Sequence, residues 1–272
     1  MRGAVSIRGA VKVYDPERSQ VVALDGLDLD IAPGEFCAVV GPSGCGKTTL
    51  LNAIAGFDTL TSGSITLDGQ TIAEPDRSAP PGADRIVVFQ NGALFPWRSV
   101  LWNVTCGPVM QKRMGRAEAT ERASALLARV GMQGSDDKYP GELSGGQRRR
   151  VEIVRALMND PSVLLLDEPF RALDALTKSV MQEYLTELLV EVPKTVFFIT
   201  HDLEEAIFLG DKVVVLTSRP GRIRQVVPVS LEKPRRHTVL TSPEFLAIKA
   251  TLSGAIHEEA RRAFVYGERE LA

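Results

Sequence analysis

A glycine-rich stretch in the first fifth of the chain has the composition of a phosphate-binding loop. It runs Gly41-Pro42-Ser43-Gly44-Cys45-Gly46-Lys47-Thr48-Thr49 and fits the pattern G-x-x-x-x-G-K-[ST]. Glycines let backbone N–H groups curl around phosphate oxygens, and a helix that starts there presents its positive end to them. We predict that this segment binds a nucleotide. In that site Lys47 would reach the β- and γ-phosphates, and the Thr48 hydroxyl would hold Mg²⁺.

Two adjacent carboxylates supply the second half of such a site. Asp167 and Glu168 directly follow the apolar run Val163-Leu164-Leu165-Leu166, which is typical of a buried strand. We predict that Asp167 completes the Mg²⁺ shell and that Glu168 orients or deprotonates an attacking water.

Two further polar residues end apolar strands. Gln90 follows Arg85–Phe89, and His201 follows Val196–Thr200. Gln90 could reach a metal or a phosphate, and His201 could touch the γ-phosphate if its strand lies parallel to the Asp167 strand. Either residue alone is also an ordinary strand terminus.

Tyr14 ends a strand upstream of the glycine-rich loop. Its ring could offer a flat face to adenine, since stacking of a base on an aromatic ring contributes about 1–3 kcal/mol. It could equally be a core aromatic at a strand end. In the company of the other motifs, stacking is the interpretation we favour.

A second glycine-containing turn opens a helix. Ser144-Gly145-Gly146-Gln147 has the Ser-x-x-Gln spacing of a capping box, so it is at least a good helix start. Two glycines there are costly unless the backbone must approach something closely. A bare, positive helix end with a free hydroxyl is also suited to grip a phosphate.

The elements that must position these residues follow from periodicity. The glycine-rich loop lies between the apolar strand Phe36–Val40 and a helical stretch, the context that the motif requires. Several strands precede the first helix, which predicts an antiparallel layer beside the nucleotide-binding core. Residues 74–84 are expected to form an exposed loop. The predicted class is α/β.

Residues 91–142 have the character of a helical insertion in that core, with helical spacing of apolar residues from Arg116 to Val130. Phe95, Trp97 and Trp102 could be plain core. They could also line a groove for a partner helix, and the sequence does not separate the two.

Composition and charge bound the remaining possibilities. The chain has 272 residues, a net charge of −2 and three cysteines whose spacing matches no zinc site. No global field therefore favours nucleic acid, and a reducing cytoplasm is the simplest home. The basic clusters Arg148–Arg150 and Arg235–Arg236 are expected to be solvated. No apolar run approaches the ~18 residues of a membrane span.

Taken in order, these motifs resemble the ATPase subunit of ABC transporters along nearly the whole chain. The resemblance rests on Tyr14, Gly41–Thr48, Gln90, Leu143–Gln147, Asp167-Glu168, Leu173-Asp174 and His201, of which the Ser-Gly-Gly-Gln turn is the most specific. It implies a RecA-like P-loop core with an antiparallel β layer and an inserted helical subdomain. The corresponding division is 1–90 and 156–235 for the core, 91–155 for the helical subdomain and 236–272 for a helical tail.

The resemblance also implies cofactors and partners. Two subunits, identical or paired, would face head to tail, and each ATP with its Mg²⁺ would lie between one glycine-rich loop and the other subunit's Ser144–Gln147 turn. Gln90 would sense the γ-phosphate and signal to an integral membrane permease, whose coupling helix would enter the groove near Phe95–Trp102. The subunit would lie on the cytoplasmic face of the inner membrane and serve a solute-binding protein indirectly.

A narrower likeness is to the importer group for taurine, aliphatic sulfonates, nitrate and pyrimidine precursors, and within it to the taurine branch. It is carried by segments around Gly82–Trp97, Glu204–Leu209, Ser218–Arg222 and Ser242–Phe245. Three mild departures are Arg149, where Gln is more usual, the Glu152-Ile153-Val154 run and Arg171. None removes a catalytic group.

Two other classes of function are weighed. A non-transport ABC protein acting in DNA repair or translation usually carries a long coiled-coil insertion or two cassettes, and neither is found in the sequence. A nucleotide-dependent switch without useful turnover is the third hypothesis, and the acid at Glu168 favours turnover over binding alone.

Overall fold

The computed structural model describes residues 2–15, 20–171 and 173–270, without the side chains of residues 263 and 265–270. The strands in chain order are β1 (Val5–Tyr14), β2 (Val21–Ile31), β3 (Phe36–Val40), β4 (Ser62–Leu67), β5 (Gln70–Glu74), β6 (Arg77–Ser78), β7 (Arg85–Val88), β8 (Val163–Asp167), β9 (Thr195–Ile199), β10 (Lys212–Leu216) and β11 (Ile223–Pro228). The α-helices are α1 (Lys47–Ala55), α2 (Val100–Met110), α3 (Arg116–Arg129), α4 (Gly145–Met158), α5 (Ala175–Glu191), α6 (Leu203–Leu209) and α7 (Pro243–Glu270).

The central sheet has the strand order β11-β10-β3-β9-β8-β7, and only the edge strand β11 runs antiparallel to its neighbour. Its inner strands are apolar on both faces and fully buried, as a parallel sheet covered on both sides requires. In β3 the alternating residues belong to two different cores, Val39 to the α1 side and Phe36 to the α5 and α6 side. Because β3, β8 and β9 are parallel neighbours, their carboxyl ends meet at one edge of the sheet.

A second, antiparallel sheet has the order β2-β1-β4-β5-β6. Its inner residues, among them Ile7, Leu27 and Ile65, pack into one core with Leu50 and Ile54 of α1. The predicted α/β class with an antiparallel layer is therefore confirmed.

Local details of this sheet differ from the prediction. Residues 21–31 form one long strand, because register shifts in its pairing with β1 absorb the irregularity around Gly26. Residues 74–84, expected as an exposed loop, contain the short strand β6, which pairs with β5.

The insertion between the core strands β7 and β8 builds its own small core from α2, α3 and α4. Val104, Leu127 and Val151 are buried there together. Ser99 caps α2, and the buried Asn103 side chain donates to the Phe95 carbonyl and accepts from the Phe95 N–H, which fixes the preceding loop. The residue boundaries of the predicted domains stay a prediction.

The expectation of solvated basic clusters is wrong for Arg235. Its guanidinium is buried and donates to the carbonyls of Ile207, Phe208 and Gly210, at the end of α6. Burial lowers the pKa of Arg235 to about 10, and nearby Asp211 partly opposes that shift. These carbonyls lie 25 to 28 residues away in sequence, so local composition could not reveal them.

Within the described ranges, no helix combines the length and apolar composition that crossing a membrane would take.

Candidate nucleotide-binding site

The glycine-rich loop joins the buried end of β3 to the first residue of α1. Gly46 adopts φ 88° at the helix start, and a Cβ there would lie 2.6 Å from the Ala23 carbonyl oxygen. Only glycine fits both the conformation and the space. The sequence thus forces the loop to fold tightly against β2, with the N-terminus of α1 open toward the loop's concave side.

Lys47 is held over the same loop. Its ammonium donates to the carbonyls of Gly41 at 2.8 Å and Pro42 at 2.9 Å. Cys45 is fully buried beneath the loop, and burial raises the pKa of its thiol despite the nearby Lys47 ammonium. Cys45 is therefore a small packing side chain of the loop.

Thr48 and Asp167 meet from opposite elements. The Thr48 hydroxyl, in the first turn of α1, donates to Oδ2 of Asp167 at the end of β8 over 3.3 Å. Burial raises the pKa of Asp167, while the Thr48 hydrogen bond and Lys47 oppose that rise. A hydroxyl and a carboxylate oxygen at this separation fit the hard-oxygen ligands of Mg²⁺.

Glu168 has an uncommon backbone conformation, and its carboxylate lies between Arg171 and His201. Its φ of 43° is left-handed, which few side-chain-bearing residues adopt without cost. Its N–H donates to the Ile199 carbonyl of β9. One carboxylate oxygen lies 3.4 Å from Nδ1 of His201 and the other 3.2 Å from Arg171. β8 and β9 are parallel neighbours, the condition on which the prediction for His201 depended, and their pairing brings Glu168 and His201 together. Contact of His201 with a γ-phosphate stays a prediction.

These groups line one cavity of about 570 Å³. Its walls include the following predicted residues: Tyr14, Gly41, Ser43, Gly44, Cys45, Gly46, Lys47, Thr48, Thr49, Gln90, Asp167, Glu168 and His201. Pro42 does not line the cavity, but its carbonyl accepts a hydrogen bond from Lys47.

Two arginines of the cavity were not predicted as site residues, namely Arg171 and Arg219. Arg171 was noted only as a departure from the family pattern, although its i+3 spacing from Glu168 is a usable signal. Arg219 belongs to the Ser218–Arg222 segment, which supports the resemblance to the importer group but has no predicted role in the site.

Tyr14 lies at the rim of the cavity with part of its ring exposed. Its hydroxyl donates to Oδ2 of Asp58 at 2.8 Å, and the Lys12 ammonium lies 5.0 Å from the ring centre. Burial raises the pKa of the Tyr14 hydroxyl. Tyr14 is therefore not a core aromatic, and stacking on adenine stays a prediction.

The segment that carries Gln90 is anchored by a buried arginine. Arg149 donates to the carbonyls of Phe89 and Gln90, each at 2.7 Å, and pairs with Glu152 at 2.8 Å. Burial lowers the pKa of Arg149, which Glu152 counteracts. The expectation that Arg148–Arg150 forms a solvated face is thus wrong for Arg149, because its partners are some 60 residues away.

The Ser144–Gln147 turn forms the predicted capping box. The Ser144 hydroxyl accepts from the Gln147 N–H, and the Gln147 side chain accepts from the Ser144 N–H. A Cβ on Gly146 would lie 3.0 Å from Thr177 of α5, so close packing of α4 against α5 explains that glycine. Ser144 and Gly145 are exposed, and the turn does not line the cavity that holds Lys47 and Glu168.

The aromatic cluster of the insertion is partly open to solvent. The Phe95 ring lies 5.8 Å from Trp97 and 5.6 Å from Trp102, centre to centre. Trp97 is 68% exposed, so it is not core. An adjoining cavity of about 270 Å³ is walled by Phe89, Phe95 and Arg155 among others.

Comparisons with known proteins agree with this geometry. The sequence pattern of the ABC transporter family matches residues 24–171. An uncharacterised ABC transporter ATP-binding protein of Methanocaldococcus jannaschii is 44% identical over 97% of this chain and 95% of its own length. The taurine import ATP-binding protein TauB of Rhizobium johnstonii is 45% identical over 89% and 93%, and that of Escherichia coli 43% identical over 89% and 94%.

A solved structure is similar over most of this chain. The dimeric ATP-binding cassette MJ0796, bound to ADP and Pi after hydrolysis, aligns with a TM-score of 0.73 and 30% identity, over 84% of this chain and all of that one. The chain belongs to the ABC transporter family. It is an ATP-binding subunit of that family, with the ABC ATPase fold, and its activity is ATP hydrolysis coupled to transport.

Proposed function

We propose that the chain closes on a second ATPase subunit around two ATP molecules and thereby drives a membrane permease that imports taurine or a related sulfonate. The observation that carries the dimer is the position of the Ser144–Gln147 turn. It is a capped, exposed helix start outside its own subunit's nucleotide cavity. An exposed helix N-terminus favours an anion even when its side chains form a capping box, and the γ-phosphate held by a second subunit is such an anion.

Within each site the residue roles follow from position. Lys47 and the N–H groups of Gly44–Thr49 bind the phosphates, and Tyr14 supports the base. Glu168 accepts a proton from the attacking water or orients it, while His201, beside Glu168, contacts the γ-phosphate. The neighbouring strand ends hold these groups at a fixed separation.

Mg²⁺ would be held by the Thr48 hydroxyl and by Asp167, with Gln90 as a further oxygen donor. Such an ion neutralises charge that develops on the phosphate oxygens. Asp167 is buried, and a buried carboxylate is stabilised by a bound cation.

The permease contact is assigned to the aromatic surface of Phe95, Trp97 and Trp102. Arg149 holds the Gln90 carbonyl and pairs with Glu152, which accepts from the N–H of Ala93, two residues before Phe95. A change at Gln90 can reach the aromatic surface through this short, buried connection. The subunit would therefore lie against the cytoplasmic face of the inner membrane. A solute-binding protein would be an indirect partner.

The importer role and the solute rest on likeness to proteins named for taurine import. Nitrate, aliphatic sulfonates and pyrimidine precursors are the alternatives in the same importer group. The ATPase does not touch the solute, so the permease and the binding protein must select it.

Reconstitution tests the proposal. The subunit is assembled with its membrane partners in vesicles, and ATP turnover is measured with taurine, an alkanesulfonate, nitrate or a pyrimidine precursor and the matching binding protein. We expect taurine or another sulfonate to stimulate turnover. Stimulation by nitrate or a pyrimidine precursor alone would reject the solute assignment. A rate of ATP turnover that no solute changes would reject the importer role.

A further inference from the structure

The turn that follows β10 packs directly on the glycine-rich loop. Gly221 donates its N–H to the Ala23 carbonyl and accepts from the Asp25 N–H, each at 3.0 Å. A Cβ on Gly221 would lie 2.3 Å from the Cys45 carbonyl oxygen, so only glycine allows this approach. The turn is therefore fixed against both β2 and the phosphate-binding loop.

Side-chain contacts make the same turn rigid internally. The Thr217 hydroxyl donates to the Pro220 carbonyl at 2.7 Å and accepts from the Arg222 N–H at 3.0 Å. Arg222 pairs with Asp25 on β2 and points away from the cavity that holds Lys47, which it does not line. Residue 219 thus projects from a well-supported backbone.

Arg219 extends from this turn over the loop. Its Nη2 and Nε atoms lie 3.1 and 3.2 Å from the position that a Cβ on Gly44 would occupy, and its side chain lines the nucleotide cavity. Among the described residues its guanidinium makes no hydrogen bond or ion pair. A cation that extends from a rigid turn beside the N–H groups of the loop, without a carboxylate partner of its own, is suited to bind an anion.

We propose that Arg219 is a further nucleotide-binding residue, which donates to the phosphate chain of ATP from the side of the loop opposite Asp167. The sheet order supports that side, because β10 flanks β3 on one side while β9 and β8 lie on the other. Lys47 and Arg219 then contact the phosphate chain as two separate cations. This inference rests on the proposed assignment of the cavity as the ATP site.

The test is nucleotide affinity in the full-length chain. MgATP, MgADP and adenosine are titrated by equilibrium dialysis against the wild type, Arg219→Gln and Arg219→Lys. Loss of one charge-assisted hydrogen bond predicts about tenfold weaker MgATP binding for Arg219→Gln. Arg219→Lys should recover part of that loss, and adenosine binding should not change.

Two controls separate the possible failures. Arg222→Gln removes a charge from the same turn without touching the cavity and should bind MgATP like the wild type. Lys47→Ala should lose MgATP binding. If Lys47→Ala loses binding while Arg219→Gln keeps it, the role of Arg219 is overturned and the site assignment stands.

Other results also decide against the inference. If Lys47→Ala binds MgATP normally, the site assignment fails and the role of Arg219 fails with it. If Arg219→Gln weakens adenosine as much as MgATP, or if Arg222→Gln causes the same loss, the guanidinium acts on the turn and not on the phosphates.

Discussion

At the residue scale, the proposed chemistry depends on how Glu168 is held. Its backbone is fixed in a left-handed conformation by the hydrogen bond to Ile199, and its carboxylate lies between His201 and Arg171. The side chain is largely buried at the edge of the sheet, beside the Thr48 and Asp167 pair. This position suits a group that must meet a water at the γ-phosphate.

We expect Glu168→Gln to bind ATP but to hydrolyse it at least about a hundredfold more slowly, because general-base assistance contributes 10² to 10⁴ in rate. The amide keeps the shape of the side chain and removes its basicity. Phosphate release and ATP retention by the assembled complex are the measurements. Normal turnover would remove Glu168 from the base role.

Arg171 is expected to moderate that role. It occupies one oxygen of Glu168 through an ion pair whose arginine is largely exposed, an interaction of roughly 0.2–1 kcal/mol. Arg171→Ala should therefore raise the rate of hydrolysis by at most about fivefold at saturating ATP, since water gains access to that oxygen. Arg122→Ala, a charge removal at an exposed position of α3, is the control. A rate that falls tenfold in Arg171→Ala would show that the arginine assists catalysis.

At the element scale, the connection between the Gln90 segment and α4 depends on one buried ion pair. Arg149 and Glu152 are 6% and 5% exposed, and Glu152 also accepts from the Ala93 N–H at 2.8 Å. Both side chains therefore hold the same segment. Arg149 donates to the carbonyls of Phe89 and Gln90, and Glu152 accepts from the Ala93 N–H.

Arg149→Met should lower the free energy of unfolding by about 3 kcal/mol, because it leaves the Glu152 carboxylate buried without its cation. The double variant Arg149→Met with Glu152→Met should lose less, since no unpaired charge remains. Denaturant unfolding of both variants is the measurement. A double variant that is less stable than the single one would contradict the ion-pair explanation.

The strands and helices of the core, and the polar residues at the carboxyl ends of its strands, could be predicted from sequence because their signals are local. The glycine-rich loop, the apolar runs before Asp167 and His201 and the capping box at Ser144 each lie within a few residues of what they determine. Arg149 and Arg235 could not be predicted in this way, since each donates to carbonyl groups that are far away in sequence. Arg219 could not be predicted either, because it lies beside Gly44, which is distant in sequence. A run of arginines has the same composition whether it is solvated or buried against carbonyl groups.

The short strand β6 was missed for a related reason. A two-residue strand has no periodicity of its own, and only its pairing with β5 defines it.

At the scale of the whole molecule, two surfaces must meet other proteins in our proposal. One is the Ser144–Gln147 turn, and the other is the aromatic surface around Trp97. They lie on the helical insertion and its leading loop, whereas the nucleotide cavity is built mainly from the two sheets and α1. In our proposal, coupling between nucleotide and permease passes through Gln90 and Arg149.

Trp97→Ala is expected to leave the free energy of unfolding within about 0.5 kcal/mol, because the side chain is largely exposed. It should also leave ATP binding by the isolated subunit unchanged, while weakening co-sedimentation with permease vesicles. Phe264→Ala, an aromatic of similar exposure on α7, is the matched control. Equal permease binding by both variants would remove Trp97 from that contact.

The most direct test of the dimer is a crosslink between differently tagged copies. Ser43→Cys is placed in one copy and Ser144→Cys in the other, both in the Glu168→Gln background with ATP. We predict an ATP-dependent disulfide between the two tags, and none when both copies carry the same single cysteine change. Absence of a crosslink between the two copies would contradict a site shared by two subunits. So would a disulfide that forms within a single copy when that copy carries both changes.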